Sequence, residues 1–325
     1  MKAYVHEYGK LLIKDMPEPV AEKGEVVVAI RAAGLNRRDL YIPNRRGNEV
    51  GALILGSDGA GIIASVGEGV TNVKEGDAVI INPSLRWFKE SVAPPKEFDI
   101  LGMPDNGTFA EKIVIDAHQV EKKPSFLTWE EAGVLGLAGL TGYRALVTRG
   151  QIKAGETVFI PGAGSGVATY LIQFAKNLGA TVIVSSRSKE KLAAAKKLGA
   201  DVAVDTNADW EKELANYTID LVIESVGRAT FHRSLKVLKP GGRIVVFGAT
   251  TEDTITFDLR EFFYGQYTLL GSTMGSREEF RNMTKHVETH QIHPVIDEFF
   301  PLERAQEAFH KLEVNKQFGK IGLSF

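Results

Sequence analysis

At 325 residues the chain is long enough for about two domains with sizeable cores, which excludes a peptide hormone or a disulfide mini-scaffold. Its 39 lysines and arginines against 41 aspartates and glutamates give a formal net charge of −2, so no basic surplus points to a nucleic-acid partner. The absence of cysteine removes disulfides, thiolate nucleophiles, redox CxxC pairs and every cysteine-based zinc or iron–sulfur site.

The opening Met1–Glu7 has no apolar leader-like run, and no later segment approaches the roughly 18 uninterrupted apolar residues of a membrane span, so a cytoplasmic protein is expected. From residue 1 to about 125, apolar runs at Glu25–Ile30, Gly59–Val66, Ala78–Asn82 and Ala110–Ile115 alternate with Gly, Pro and Asp. That texture predicts an antiparallel, strand-rich domain. Glu75-Gly76-Asp77 and Asp105-Asn106-Gly107 are turn signals within it. Between these turns, residues 83–105 carry four prolines and no clear period, and read as a lobe or lid outside the sheet.

Val134–Leu140 is apolar and is expected as a helix packed between domains. From about 127 to 275, short apolar strands alternate with helical patterns: Thr157–Pro161, Thr169–Leu178, Thr181–Ser185, Lys189–Leu198. Further strands are predicted at Leu221–Glu224, Arg243–Gly248 and Thr268–Gly271, with Lys239-Pro240-Gly241-Gly242 as the turn feeding the second. The alternation argues for βαβ units and an α/β, doubly wound parallel sheet. A helix over Glu278–His290, another from Leu302 or Glu303, and the closing Lys320–Leu323 complete the chain; this tail is expected to return to the first domain. His286 and His290 stand one helical turn apart, but without an H-E-x-x-H frame they read, with His293, as a solvated face.

The strand Thr157–Ile160 runs into Pro161-Gly162-Ala163-Gly164-Ser165-Gly166-Val167-Ala168 and then an amphipathic helix. Glycines there let backbone N–H groups approach a pyrophosphate at a helix N-terminus. The strict G-x-G-x-x-G spacing is not met, and alternate glycines alone also suit a generic tight turn; the surrounding βαβ period favours the dinucleotide. At the end of the next strand, where an NAD site would carry Asp or Glu, the sequence reads Ser185-Ser186-Arg187-Ser188, with Lys191 one turn on. Hydroxyls and cations there suit a 2′-phosphate, so NADPH is the expected cofactor, while Ser188 is placed to cap the following helix.

These motifs, together with Met1-Lys2-Ala3, Ala33-Gly34-Leu35-Asn36-Arg37-Arg38-Asp39, Gly56-Ser57-Asp58-Gly59-Ala60-Gly61, Lys197-Leu198-Gly199-Ala200-Asp201 and Phe318-Gly319-Lys320, resemble the medium-chain dehydrogenase/reductase superfamily over nearly the whole chain. The resemblance implies a GroES-like, β-rich catalytic domain over 1–126, completed by 282–325, and a Rossmann NADP-binding domain over 127–281. In the zinc alcohol dehydrogenases of that superfamily, Cys, His and Cys hold the catalytic metal. Their positions match Asn36, Ser57 and, approximately, Leu137, so no metal ligand is expected, and the four cysteines of the structural zinc lobe are missing from 83–105. Two origins stay open: the zinc-free quinone oxidoreductase branch, or a zinc-type enzyme that has lost both metals and kept the lobe.

By resemblance, Asn36 lies beside the nicotinamide and Tyr41 reaches the substrate pocket. Thr141 would bond the cofactor, Gly248 and Ala249, with Gly271-Ser272-Thr273, would border the nicotinamide, and Lys320 would meet the pyrophosphate. Arg37 and Arg38 could also face the pocket, but arginine is mostly exposed and they read mainly as surface residues. Without zinc to stabilise an alkoxide, a simple alcohol is a poor substrate, whereas a quinone or α,β-unsaturated carbonyl needs mainly positioning and an oxyanion donor, here Tyr41. The expected activity is therefore NADPH-dependent reduction of a quinone or related activated carbonyl. An enone or enoyl reductase, and a non-catalytic NADPH-responsive binding protein, are the alternatives. A small-molecule substrate is expected, with neither nucleic acid nor membrane as partner. A homodimer is expected through the apolar edge around Gln266–Gly271.

Overall fold

In the structure, a computed structural model describing residues 1–325, the chain opens with a hairpin of β1 (Lys2–Glu7) and β2 (Lys10–Asp15). Its turn uses Tyr8 and Gly9 at φ of 47° and 72°, a conformation that costs Gly9 little. The chain divides into two units, Met1–Leu140 with Gly275–Phe325, and Thr141–Met274.

In the first unit the central strand is β3 (Glu25–Gly34), buried nearly throughout with only Arg31 exposed. It pairs antiparallel with β5 (Ala60–Val66) and β9 (Lys112–Asp116), and a short β4 (Leu53–Ile54) joins β1. β5 pairs with β6 (Ala78–Ile81), which pairs with β10 (Val120–Lys122). On the other side β3 meets β18 (Lys320–Ser324) through Gly34↔Gly322 and Ala33↔Leu323, and β18 runs parallel to β17 (Ile296–Pro301). The core joins Val26, Val28 and Ile30 to Ile63, Ile81, Phe109, Phe309 and Leu323. The predicted strands of this unit are present with shifted ends. β1, β2, β4 and α1 (Ile42–Arg46) lie where no element was expected.

Residues 83–105 form a lobe with its own fastening. β7 (Ser84–Leu85) pairs with β8 (Asp99–Ile100), and Arg86 spans the lobe to Asp99 at 2.5 Å and Asp105 at 2.9 Å. Buried Trp87 meets the edge of Phe98 at 5.4 Å. The start of α9 (Arg277–His290) bonds the lobe through Arg277 N–H to Trp87 O and Glu278 N–H to Phe88 O. α2 (Trp129–Gly133) packs on β3 so closely that a Cβ at Gly133 would come 2.7 Å from Ala32. These contacts draw residues 127–140 and 275–281 into the first unit, although the resemblance implies boundaries at 126/127 and 281/282. α10 (Ala305–Val314) completes the unit, preceded by a 3₁₀ turn at Leu302–Arg304.

The second unit is a six-stranded parallel sheet in the order β13-β12-β11-β14-β15-β16. Its strands are β11 (Thr157–Pro161), β12 (Thr181–Ser186), β13 (Val202–Asp205), β14 (Ile219–Glu224), β15 (Leu238–Val246) and β16 (Thr268–Gly271). The helices between them are α4 (Gly166–Asn177), α5 (Lys189–Leu198), α6 (Trp210–Glu213), α7 (Arg228–Val237) and α8 (Leu259–Tyr264). The order reverses between β11 and β14, the position at which such sheets bind nucleotides beyond the carboxyl ends of their strands. The expected turn at Lys239–Gly242 instead lies inside β15: Leu238 pairs with Ile219 and Arg243 with Leu221, so the residues between bulge out with Gly241 at φ 76°. α3 (Gly136–Tyr143) begins two residues after the predicted helix start and runs on to Tyr143.

Candidate active site

The second unit presents the glycine turn at the end of β11. Gly162, at φ 85°, and Ala163 donate their N–H groups to Ser185 O, which locks the turn against the end of β12. Ser165 caps α4, its Oγ accepting from Ala168 N–H at 3.1 Å. The helix then starts at Gly166 and Val167, whose N–H groups belong to the unpaired first turn. Lys191 lies over Gly164: a Cβ there would stand 3.0 Å from its Nζ. Ser185 Oγ is buried and has no partner, while Ser186 Oγ accepts from Ser188 N–H. Arg187 is exposed, and Ser188 caps α5 through Lys191 N–H at 3.2 Å.

Gly142 faces Val167 and Leu171, which sets its buried neighbour Thr141 beside the start of α4. Gly248, Ala249 and Ser272 follow the carboxyl ends of β15 and β16, and Ser272 N–H bonds Val246 O. Gly248 and Ala249 line an apolar cavity of about 290 Å³ with Phe231, Ile255 and Leu270. A helix start with free donors, a glycine that leaves room under a lysine, and an orphaned serine hydroxyl fit a phosphorylated dinucleotide.

The first unit gathers a buried polar cluster. β3 ends at Gly34, and Asn36 caps a 3₁₀ turn over Arg37–Leu40, its N–H donating to Asp39 Oδ2 at 2.8 Å. The Asp58 carboxylate accepts from Asn36 Nδ2 at 2.9 Å, from Leu137 N–H at 2.5 Å and from Lys320 Nζ at 3.0 Å. A Cβ at Gly136 would stand 2.9 Å from Asp58 Oδ1, so glycine makes the room for it. Lys320 is 3% exposed, and its ammonium also donates to Asn36 Oδ1 at 2.6 Å and Leu35 O at 2.8 Å. All three of its N–H bonds are thus committed within this unit, so it meets the expected pyrophosphate only by releasing a partner.

Arg38 Nη1 donates to Ser57 Oγ at 2.7 Å and to Leu101 O at 2.8 Å. Arg38 is therefore not the surface residue its sequence suggests. Burial pushes Asp39 up to about 6 and pulls Arg38 below the usual guanidinium range. Tyr41 follows on the same turn, its N–H bonding Arg38 O, and its side chain is 43% exposed.

The expected solvated face holds for His290 and His293 but not for His286, which is half-buried with its Nε2 enclosed. The His286 and His290 rings lie 4.4 Å apart on α9, whereas His293 bonds Glu131 at 2.7 Å.

The Alcohol dehydrogenase GroES-like domain family profile matches residues 22–125, and that of the Zinc-binding dehydrogenase family matches 166–289. The zinc-type alcohol dehydrogenase-like protein YogA of Leptosphaeria maculans is 32% identical, over 97% of this chain and 94% of its own. The chain belongs to the zinc-type alcohol dehydrogenase-like medium-chain dehydrogenase/reductases. A solved NAD-dependent alcohol dehydrogenase in this superfamily is 33% identical over 100% of both chains, with a TM-score of 0.91. The structure of the 2-octenoyl-CoA carboxylase reductase CinF in complex with NADP and 2-octenoyl-CoA is 27% identical over 99% of this chain and 87% of that one, with a TM-score of 0.89. The chain is thus a member of an oxidoreductase superfamily whose homologues bind a nicotinamide cofactor.

Within this medium-chain dehydrogenase/reductase, the three positions that the resemblance aligns with metal ligands lie around Asp58: Asn36 Nδ2 and Leu137 N–H bond its carboxylate, and Ser57 precedes it in sequence. The donors they offer are an amide, a hydroxyl and an aliphatic side chain, and the first two already accept from Lys320 and Arg38. That set does not fit zinc, which takes imidazole, thiolate or carboxylate in tetrahedral array. Asp58 is the site residue that sequence reasoning missed. The available signal was an acid directly after a lost ligand, which needs a new counter-charge once the metal's is gone.

Proposed function

We propose that the protein is an NADPH-dependent, zinc-independent reductase of electron-poor double bonds, of enoyl or enone type. The observation that carries this reading is the pairing of Asn36 and Ser57 with the chain's own cations, Lys320 and Arg38. With these positions spent in this way, they offer no ligand set for a metal that would stabilise an alkoxide, so an acceptor that is already electrophilic suits the site. The likeness to a reductase solved with NADP and an enoyl thioester supports the same substrate class. A quinone acceptor is the second reading, supported by the loss of the same ligand positions.

When bound, the nicotinamide supplies the hydride; Ser185, Ser186, Arg187 and Lys191 would hold the 2′-phosphate, and Gly162, Gly164, Ser165, Gly166 and Val167 the pyrophosphate. Thr141, Gly248, Ala249 and Ser272 would border the nicotinamide. Asn36 would orient the reacting groups, with Tyr41 donating to the acceptor oxygen. Lys320 serves mainly as the counter-ion of Asp58. The small-molecule enzyme would work as a homodimer joined along β16. No helix is long and apolar enough to cross a membrane.

The test is NADPH oxidation by chelator-treated protein with crotonyl-CoA, methyl vinyl ketone, benzoquinone and a simple ketone. Turnover of the first two, unaffected by chelation, is expected. Turnover of the simple ketone only after zinc addition would overturn the reading, and NADPH binding without turnover of any acceptor would favour a nucleotide-responsive binding protein.

A further inference from the structure

We propose that Arg38 recognises a carboxylate on the acceptor, so that the substrate class narrows to unsaturated carbonyl compounds bearing an acid group. The inference rests on the reductase reading for the acceptor's reactivity, but the anion site itself rests on geometry. Arg38 is half-buried, and its Nη1 is anchored twice, to Ser57 Oγ and Leu101 O. No carboxylate lies within ion-pairing distance of it. Asp58 is committed to Lys320, Asn36 and Leu137, and the bonded Asp39 oxygen accepts from Asn36 N–H. The Nε and Nη2 groups of Arg38 donate to no protein atom, and neither is among the buried polar atoms lacking a partner, so this edge of the guanidinium is not fully enclosed.

A guanidinium held by one nitrogen, with its Nε and Nη2 edge free, has the fork geometry that takes a carboxylate through two parallel hydrogen bonds. The surrounding charge is mixed: the Asp39 and Asp58 carboxylates favour the Arg38 cation, and Arg45 opposes it. Arg37 Nε, next in sequence, is buried without an acceptor. An incoming carboxylate would give this edge the acceptors that the protein does not supply. Arg38 shares its turn with Asn36 and Tyr41, which places the acid group near the proposed reacting end of the acceptor.

Two measurements on the full-length protein test this. The first titrates 2-naphthoate and its methyl ester, which are redox-inert, and needs no turnover. The wild type should bind the acid roughly 10- to 100-fold more tightly than the ester, the range expected of a charge-assisted bidentate contact. Arg38→Met should bring the ratio to about 1, and Arg38→Lys should fall between. The second compares kcat/KM for acetylacrylate, an enone carrying a carboxylate, with that for its methyl ester. The same ratio should appear there, in KM rather than kcat, and vanish in Arg38→Met, while NADPH affinity stays within about 3-fold. A wild-type ratio near 1 overturns the proposal even if Arg38→Met fails to fold. A ratio that survives in Arg38→Met, with the loss appearing in NADPH affinity, overturns it in favour of a cofactor phosphate. Arg38-dependent naphthoate binding without turnover of any acceptor leaves the anion site standing and removes the reductase reading.

Discussion

Lys320 and Asp58 form a buried ion pair whose members lie 262 residues apart in the chain. Removing one member strands the other in a low-dielectric site, so Lys320→Met should destabilise the protein by about 3–5 kcal/mol in denaturant unfolding. The double variant Lys320→Met/Asp58→Asn should recover much of that loss, because no unpaired charge remains. Arg187→Ala should weaken NADPH binding roughly 10-fold or more and leave NADH nearly unchanged, as titrations of both cofactors would show. If Tyr41 supplies one hydrogen bond to the developing oxyanion, Tyr41→Phe should lower kcat/KM by roughly 10- to 1000-fold with NADPH affinity intact. The residue types at Asn36, Ser57 and, approximately, Leu137, the positions that the resemblance aligns with zinc ligands, were legible in the sequence. The roles of Asp58 and Arg38 were not. Their partners are distant in sequence, and an arginine beside an arginine looks solvated until its acceptor is known.

On α9, His286 carries a folded-state pKa pushed down to about 4 by burial and by the neighbouring His290. The unfolded chain protonates this imidazole near its ordinary value of roughly 6.5, whereas the folded protein resists until about pH 4. Its contribution to stability is therefore full above pH 6.5, is lost as pH falls towards 4, and is level below that. Urea unfolding across this range should show a component of that sign that is absent in His286→Gln and reduced in His290→Ala. Elements with strong periodicity were the legible ones: β11, α4, β12 and α5 match the predicted strand and helix pattern to within a few residues. β1 and β2 escaped because charged residues at both ends, as in Lys10-Leu11-Leu12-Ile13-Lys14-Asp15, break the apolar run. Lys239–Gly242 looked like a turn because Pro and paired Gly interrupt pairing, and a bulge satisfies the same local chemistry without ending the strand.

At the scale of the whole molecule, β16 is the edge of the parallel sheet, with Thr268 and Leu269 exposed and an exposed Leu259, Phe263 and Tyr264 on α8. An apolar edge left open is a hazard, so a second copy pairing there is the expected resolution. Light scattering should give a dimer mass at micromolar concentration, and Leu269→Lys should shift it toward monomer. Fold class was readable from the alternation of texture along the chain, but the exact allotment of residues 127–140 and 275–281 was not, since it depends on contacts with β3 and the 83–105 lobe. The place of β18 beside β3 has a consequence for the protein's birth on the ribosome. By the time residue 274 has been made, the parallel-sheet unit is complete and free to form, in keeping with the tendency of domains to fold as they emerge. The first unit by then has its early strands but lacks the neighbour of β3 and the ammonium for Asp58, both delivered by residues 320–324. The earliest residues synthesised must wait for the latest, so a ribosome that stalls after residue 300 releases a chain with one finished half and one exposed, charge-unbalanced half, a ready substrate for chaperones and proteases.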